Sequence, residues 1–197
     1  MARRRLEKEP INQLLNKERS LIQRARALHD REAYGTLMQL HHGKVRAFLV
    51  RLCHNHALAD DLAQDTFVSA FEKLDTFKGS GSFSGWLFRI AYNKFLQRMK
   101  DEARREEITM TYGIESKIHT EFYEDMSANQ IDLEYAMRSL KPEQAAAISL
   151  CHSYGYSHRE AADILNTPVG TVKTNILRGR TQLRALLNAK NRASGSK

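Results

Sequence analysis

Ser157 to Leu187, SHREAADILNTPVGTVKTNILRGRTQLRALL, admits few folds other than two short helices meeting at a tight turn. Ser157 followed three residues later by Glu160 forms a capping box, which starts a helix carrying Ala161, Ala162 and Leu165 inward. Asn166 accepts the left-handed conformation that ends a helix, and Pro168 supplies a φ suited to the first turn of the next. Two helices joined so closely cross steeply, and the small pair Ala161 and Ala162 lets them approach. Val172, Ile176, Leu183 and Leu187 fall near one face of the second helix, so Lys173, Thr174, Asn175, Arg178 and Arg180 divide between solvent and a ligand. This is a helix-turn-helix with a basic groove-reading helix. A helical hairpin with a solvated basic face would need none of these turn residues together.

The charge distribution extends the reading. The chain of 197 residues has a net charge of +8. Residues 1 to 100 carry 18 basic and 10 acidic groups, residues 101 to 135 carry 3 and 10, and residues 136 to 197 carry 10 and 3. Two basic blocks flanking an acidic connector suit two modules that touch a polyanion and a linker that DNA repels, or a plain solvated spacer. Cys53 and Cys151 form no CxxC pair and no leader segment is evident, which fits a cytosolic, reduced protein. No apolar run approaches the roughly 20 residues needed to span a bilayer, so no direct membrane insertion is expected.

Apolar residues recur at three and four spacing without an alternating run, so the fold class expected is all-α, two small helical domains joined by an acidic linker. Helices are predicted near 20–29, 31–53, 57–76, 84–106, 130–140, 142–153, 157–165 and 168–189. The domains follow: a basic amino-terminal extension over 1–19, a first module over 20–107, a linker over 108–129, a helix-turn-helix module over 130–189 and a polar tail over 190–197. Lys78-Gly-Ser-Gly-Ser-Phe83 is a loop by composition.

In the first module Asp61, Asp65 and Glu72 share a helix whose Leu62, Phe67, Ala70, Phe71 and Leu74 pack inward. No third polar partner makes the carboxylates an acid–base pair, which leaves a protein partner or a solvated face. Beyond the loop, Phe83, Trp86, Phe88, Tyr92 and Phe95 interleave with Lys78, Arg89, Lys94, Arg98 and Lys100. Rings among cations suit unpaired nucleic acid, where bases stack and phosphates are tracked, although such rings are often core. His41, His42, Cys53, His54 and His56 do not have metal-ligand spacing, and KGSGS lacks the GK[ST] helix start of a phosphate loop. No metal, no cofactor and no catalytic residue is therefore expected.

The run of Asp60, Asp61, Leu62, Gln64, Asp65, Thr66, Phe67, Phe71, Leu74 and Phe77, then Phe83, Trp86, Leu87, Ile90, Ala91 and Asn93, resembles region two of the extracytoplasmic-function (ECF) sigma factors of bacterial RNA polymerase. Gly170, Thr171, Val172, Lys173, Thr174, Arg178, Gly179, Arg180 and Leu183 similarly resemble the last helix of sigma region four. The resemblance covers roughly Ser20 to Leu187. It implies a non-enzymatic initiation subunit whose partners are RNA polymerase core, through clamp helices and flap, promoter DNA and an anti-sigma factor. It assigns Asp60, Asp61, Gln64 and Asp65 to the polymerase face, and Lys78, Gly79, Ser80 and Phe83, with Trp86, Arg89 and Asn93 behind them, to melted minus-ten DNA. Thr171, Lys173, Thr174, Asn175, Arg178 and Arg180 are assigned to the minus-thirty-five element, with Arg180 a phosphate contact. The sequence departs from the family at Leu58, where an acid is common, at Asn175, where Arg is common, and at Gly179, where Ala is usual. Without the resemblance, the residues equally allow a dimeric helix-turn-helix regulator that acts without polymerase on a palindromic site.

Overall fold

A computed structural model describes residues 8–27, 30–79, 81–112 and 136–194, which are helices and turns with no strand among them. In chain order the helices are α1 (Lys8–Ala27), α2 (Arg31–Cys53), α3 (His56–Glu72), α4 (Phe83–Tyr112), α5 (Pro142–Ile148), α6 (His158–Leu165) and α7 (Val169–Ser194). A 3-10 turn, Leu74–Thr76, follows α3, and a π-helical turn, Ser149–Ser153, extends α5.

Each junction has a local cause. Asp30 caps α2 by accepting from Ala33 N at 3.0 Å, and its other oxygen binds Arg24 Nη2 at 2.6 Å. These two contacts hold its carboxyl below the usual range. His54 turns left-handed at φ 52°, and Asn55 then caps α3 through Leu58 N at 2.9 Å. Ser82 caps α4, its hydroxyl accepting from Gly85 N at 3.0 Å. Pro142 opens α5 where a missing N–H costs nothing.

Three helices run past the bounds the periodicity predicts; one is α7, which continues to Ser194 through the residues expected to be a polar tail. The extension expected over 1–19 is helical from Lys8, because Pro10 falls in the first turn, where proline is tolerated, and Leu21, Ile22 and Ala25 bury the far end of the same helix. Helix α4 continues six residues past its predicted end, to Tyr112. Pairs one turn apart support its exposed length: Arg98 donates to Glu102 at 2.7 Å and Gln97 to Asp101 at 3.0 Å. Most of the expected linker, from 113 onward, lies outside the described residues.

Helices α1 to α4 pack around Leu37, Phe48, Leu49 and Leu52 of α2, Leu62 and Phe67 of α3, and Leu87, Phe88 and Phe95 of α4, all buried. Helices α5 to α7 close over Ala145, Ala146, Ala161, Leu165, Val172 and Ile176. The two modules also touch: α5 packs on α2 and α6 on α4, so their apolar residues form one continuous cluster. Among the described residues no helix is long and apolar enough to cross a membrane.

Candidate nucleic-acid and protein interfaces

Helix α3 is fixed from two sides. Its inner face buries Ala59, Leu62, Ala63, Phe67 and Ala70, and the Tyr34 hydroxyl of α2 donates to Phe67 O at 2.5 Å. The outer face presents Asp61, Gln64, Asp65, Val68 and Glu72, a stripe at helical spacing that is exposed throughout. Asp60 lies beside it and is differently placed. Arg46 of α2 donates to both its oxygens, at 2.5 and 3.2 Å, and this contact holds its carboxyl below the usual range. Asp60 thus spends part of its charge within the chain. Leu58, the departure from the family's acid, is half-buried against the core.

The sequence did not single out the apolar groove beside this stripe. Met38 of α2 and Phe67, Val68 and Phe71 of α3 line it together with Asp60 and Gln64, around a volume of about 840 Å³. Val68 is 53% exposed. Large exposed aliphatic groups flanked by acids form an interface more readily than a solvated face does.

The loop before α4 is built by two glycines with positive φ, Gly79 at 74° and Gly81 at 87°, where a side chain would be strained. Lys78 is exposed at its start, and Ser80 lies outside the described residues. Phe83 requires a correction. It begins α4 rather than standing in the loop and is only 3% exposed, with its ring 5.3 Å from Phe77, 5.5 Å from Trp86 and 5.3 Å from His41. Its contact surface is already used, so it braces the loop and offers no face to a base. Phe88 and Tyr92 are likewise core. Trp86 is half-buried, and with the exposed Arg89 and Asn93 it occupies positions i, i+3 and i+7 of one face. Below it His41 Nε2 meets Glu18 Oε1 at 2.9 Å, tying α1 to α2.

The helix-turn-helix forms as its sequence dictates. Ser157 N donates to Glu160 Oε2 at 2.8 Å, and Glu160 N donates to Ser157 Oγ at 3.2 Å, which holds the Glu160 carboxyl below its usual range. Asn166 adopts φ 50°. Val172 and Ile176 anchor α7, leaving Thr171, Lys173, Thr174, Arg178 and Arg180 exposed and Asn175 half-buried. The Thr174 hydroxyl donates to Gly170 O at 2.9 Å, so it offers an outside partner chiefly its methyl and oxygen lone pair. Leu177, which sequence reasoning passed over, is 68% exposed on this outward face. Gly179 sits close against α5: a Cβ there would come within 2.6 Å of Ile148 Cδ1 and 3.3 Å of Gln144 Cβ, so the end of the Ile148 side chain would have to shift to admit it.

The expected surfaces are therefore three: the stripe on α3, the loop with the outer face of α4, and the outer face of α7. Among the described residues no three His, Cys, Asp or Glu side chains come together as metal ligands, and burial raises both thiol pKa values.

The Sigma-70 region 2 family model matches residues 37–105, and the Sigma-70, region 4 model matches residues 130–183. The ECF RNA polymerase sigma factor SigE of Mycolicibacterium smegmatis is 36% identical over 160 residues, covering 79% of this chain. The chain spans 62% of that relative's length. The ECF RNA polymerase sigma factor EcfG of Rhodopseudomonas palustris is 33% identical over 152 residues, covering 73% of this chain and 78% of the relative. Among solved structures, the sigma factor RpoE of Bartonella quintana in complex with the anti-sigma factor NepR is similar, with a TM-score of 0.67 and 30% identity. That match covers 79% of this chain and 96% of the other.

Proposed function

The chain belongs to the ECF sigma factors, and on that basis we propose that it directs RNA polymerase core to a restricted set of promoters and helps to hold them open, with no chemistry of its own. The observation that carries this reading is the presence of both sigma regions, in order, on one chain. A dimeric regulator acting without polymerase would leave the region 2 match and the acidic stripe on α3 without a role.

In this reading Asp61, Gln64 and Asp65 meet the clamp helices, with Val68 and Met38 supplying the apolar contact and Asp60 contributing less because of Arg46. Lys78 and Arg89 attract the melted minus-ten strand and Trp86 stacks on a base, while Gly79 and Gly81, lacking side chains, let the strand approach. On α7, Lys173, Asn175 and Arg178 are the base-edge readers, Arg180 and Thr171 hold phosphate, and Leu177 meets a thymine methyl, the usual apolar signal of the major groove. An anti-sigma partner follows from the likeness to RpoE, which was solved bound to NepR. The site of action is cytoplasmic, with polymerase and promoter.

Permanganate probing of promoter DNA with purified core tests the function. Core with this chain is expected to expose reactive thymines near the start site that core alone does not, and equal reactivity with and without the chain would reject the reading.

A further inference from the structure

The region 2 family model begins at residue 37, so helix α1 lies before it. Helix α1 is nonetheless joined at two points to the surface assigned to the melted strand. Near its middle, Glu18 meets His41 of α2, a histidine only 7% exposed. Glu18 Oε1 lies 2.9 Å from His41 Nε2, and because a carboxylate accepts, Nε2 carries the proton and donates. Two turns later Arg26 Nη2 donates to the backbone oxygen of Asp75 at 3.2 Å, within the 3-10 turn that precedes the loop. Leu21, Ile22 and Ala25 are buried between the two.

Both points lead to the same ring. His41 packs edge-on to Phe83, with ring centres 5.3 Å apart. The 3-10 turn ends at Phe77, whose ring lies 5.3 Å from Phe83. Phe77 and Phe83 each stand 5.5 Å from Trp86, and both are buried whereas Trp86 is half-buried. A ring that receives a base gains most when it is already ordered before the base arrives. The two phenylalanines supply that order, and α1 fixes the phenylalanines. His41 Nδ1 is buried with no hydrogen-bond partner among the described residues, so Glu18 alone holds this ring by hydrogen bonding. An apolar side chain would pack on Phe83 without leaving a polar atom unpaired, which makes the Glu18 contact the reason for a histidine there.

We infer that α1 is a working part of the minus-ten surface, with Glu18, His41 and Arg26 as positioning residues that hold Phe77 and Phe83 as the floor under Trp86. The inference rests on the sigma-factor reading of Trp86. It divides the work of the chain: the ties of α1 serve the opening of promoters already bound, while core is met through α3 and upstream duplex through α7.

The test uses the full chain with purified core on a promoter selected with the native protein, and scores permanganate reactivity per bound complex. Glu18→Ala is expected to lower that ratio about fivefold and Arg26→Ala about twofold, whereas Glu18→Gln, which keeps an acceptor for His41, restores most of it. A general loss of folded protein lowers binding and opening together and leaves the ratio unchanged. Trp86 is the sole tryptophan, so near-ultraviolet dichroism of the free chain reports its setting. Glu18→Ala is expected to weaken that signal and Glu18→Gln to keep it. A native ratio and a native signal in folded Glu18→Ala overturn the inference, as does a Glu18→Gln variant no better than Glu18→Ala. Arg26 is exposed, so Arg26→Ala decides the matter by the same two measurements should Glu18→Ala lose helix content. If the native chain opens no promoter with core, the sigma-factor reading falls, and the dichroism still decides whether α1 positions Trp86.

Discussion

Glycine at position 179 looks like a weak link in a recognition helix, since alanine would raise helix propensity by about 1 kcal/mol. The packing reverses that expectation, because the missing Cβ is what lets α7 approach Ile148 and Gln144 of α5. Gly43 is the control, lying mid-helix with open space for 4 Å around the point a Cβ would occupy. Gly43→Ala is expected to stabilise the protein by about 1 kcal/mol in urea unfolding, and Gly179→Ala to give no gain or a loss. Residue-scale recognition divides in a similar way between visible and hidden. Arg178→Ala is expected to lose about 1 to 3 kcal/mol of discrimination at one upstream base pair, whereas Arg180→Ala weakens all sequences alike and lowers the salt slope by about one. Asn175→Arg is expected to shift preference toward guanine at a single position, as selection from a randomised upstream element would show. Leu177 could be seen only in the structure, because an apolar residue on a periodic helix is assigned to the core until burial is known.

At the scale of elements, legibility followed locality. The α6–turn–α7 unit was readable because each signal acts within a few residues: the Ser157–Glu160 box, Asn166 and Pro168. Glu160 also gives that unit a pH dependence. Its folded pKa lies below the ordinary 4.5, so its stabilisation is complete above that value and is lost as pH falls through the folded pKa. Glu160→Gln, which keeps an acceptor for the cap, is expected to flatten this part of an acid-unfolding curve, measured by circular dichroism. The acidic stripe on α3 was equally readable from its spacing. The ends of α1 and α4 were not, because a polar, ion-paired helix carries no apolar periodicity. Nor was the π-helical turn, which no composition marks. Reversing Asp61 and Asp65 to Lys is expected to weaken core binding by a few kcal/mol if the pairs are desolvated in the complex, with the helix content unchanged. Asp60→Lys is expected to do less to core binding, because that carboxylate already answers to Arg46.

For the whole molecule, the charge blocks pointed to two modules, and two sigma regions match the chain in order, but their mutual contact depends on tertiary packing that no short window encodes. Tyr154 and Tyr156, which no sequence motif marks, join the modules through Lys44 O and Ser82 Oγ, and Phe83 read as a loop ring, yet it is core. The proposed function rests on one joint property: conferring sequence choice on polymerase core, using both modules together. Transcription from a library randomised at both promoter elements, by purified core with and without the chain, measures that property most directly. The account predicts that core alone returns no consensus, that the native chain enriches paired upstream and minus-ten elements at fixed spacing, and that Asn175→Arg changes the upstream element only. Transcripts with no enrichment over core alone, or an upstream consensus identical for the native chain, Asn175→Arg and Arg178→Ala, would contradict it.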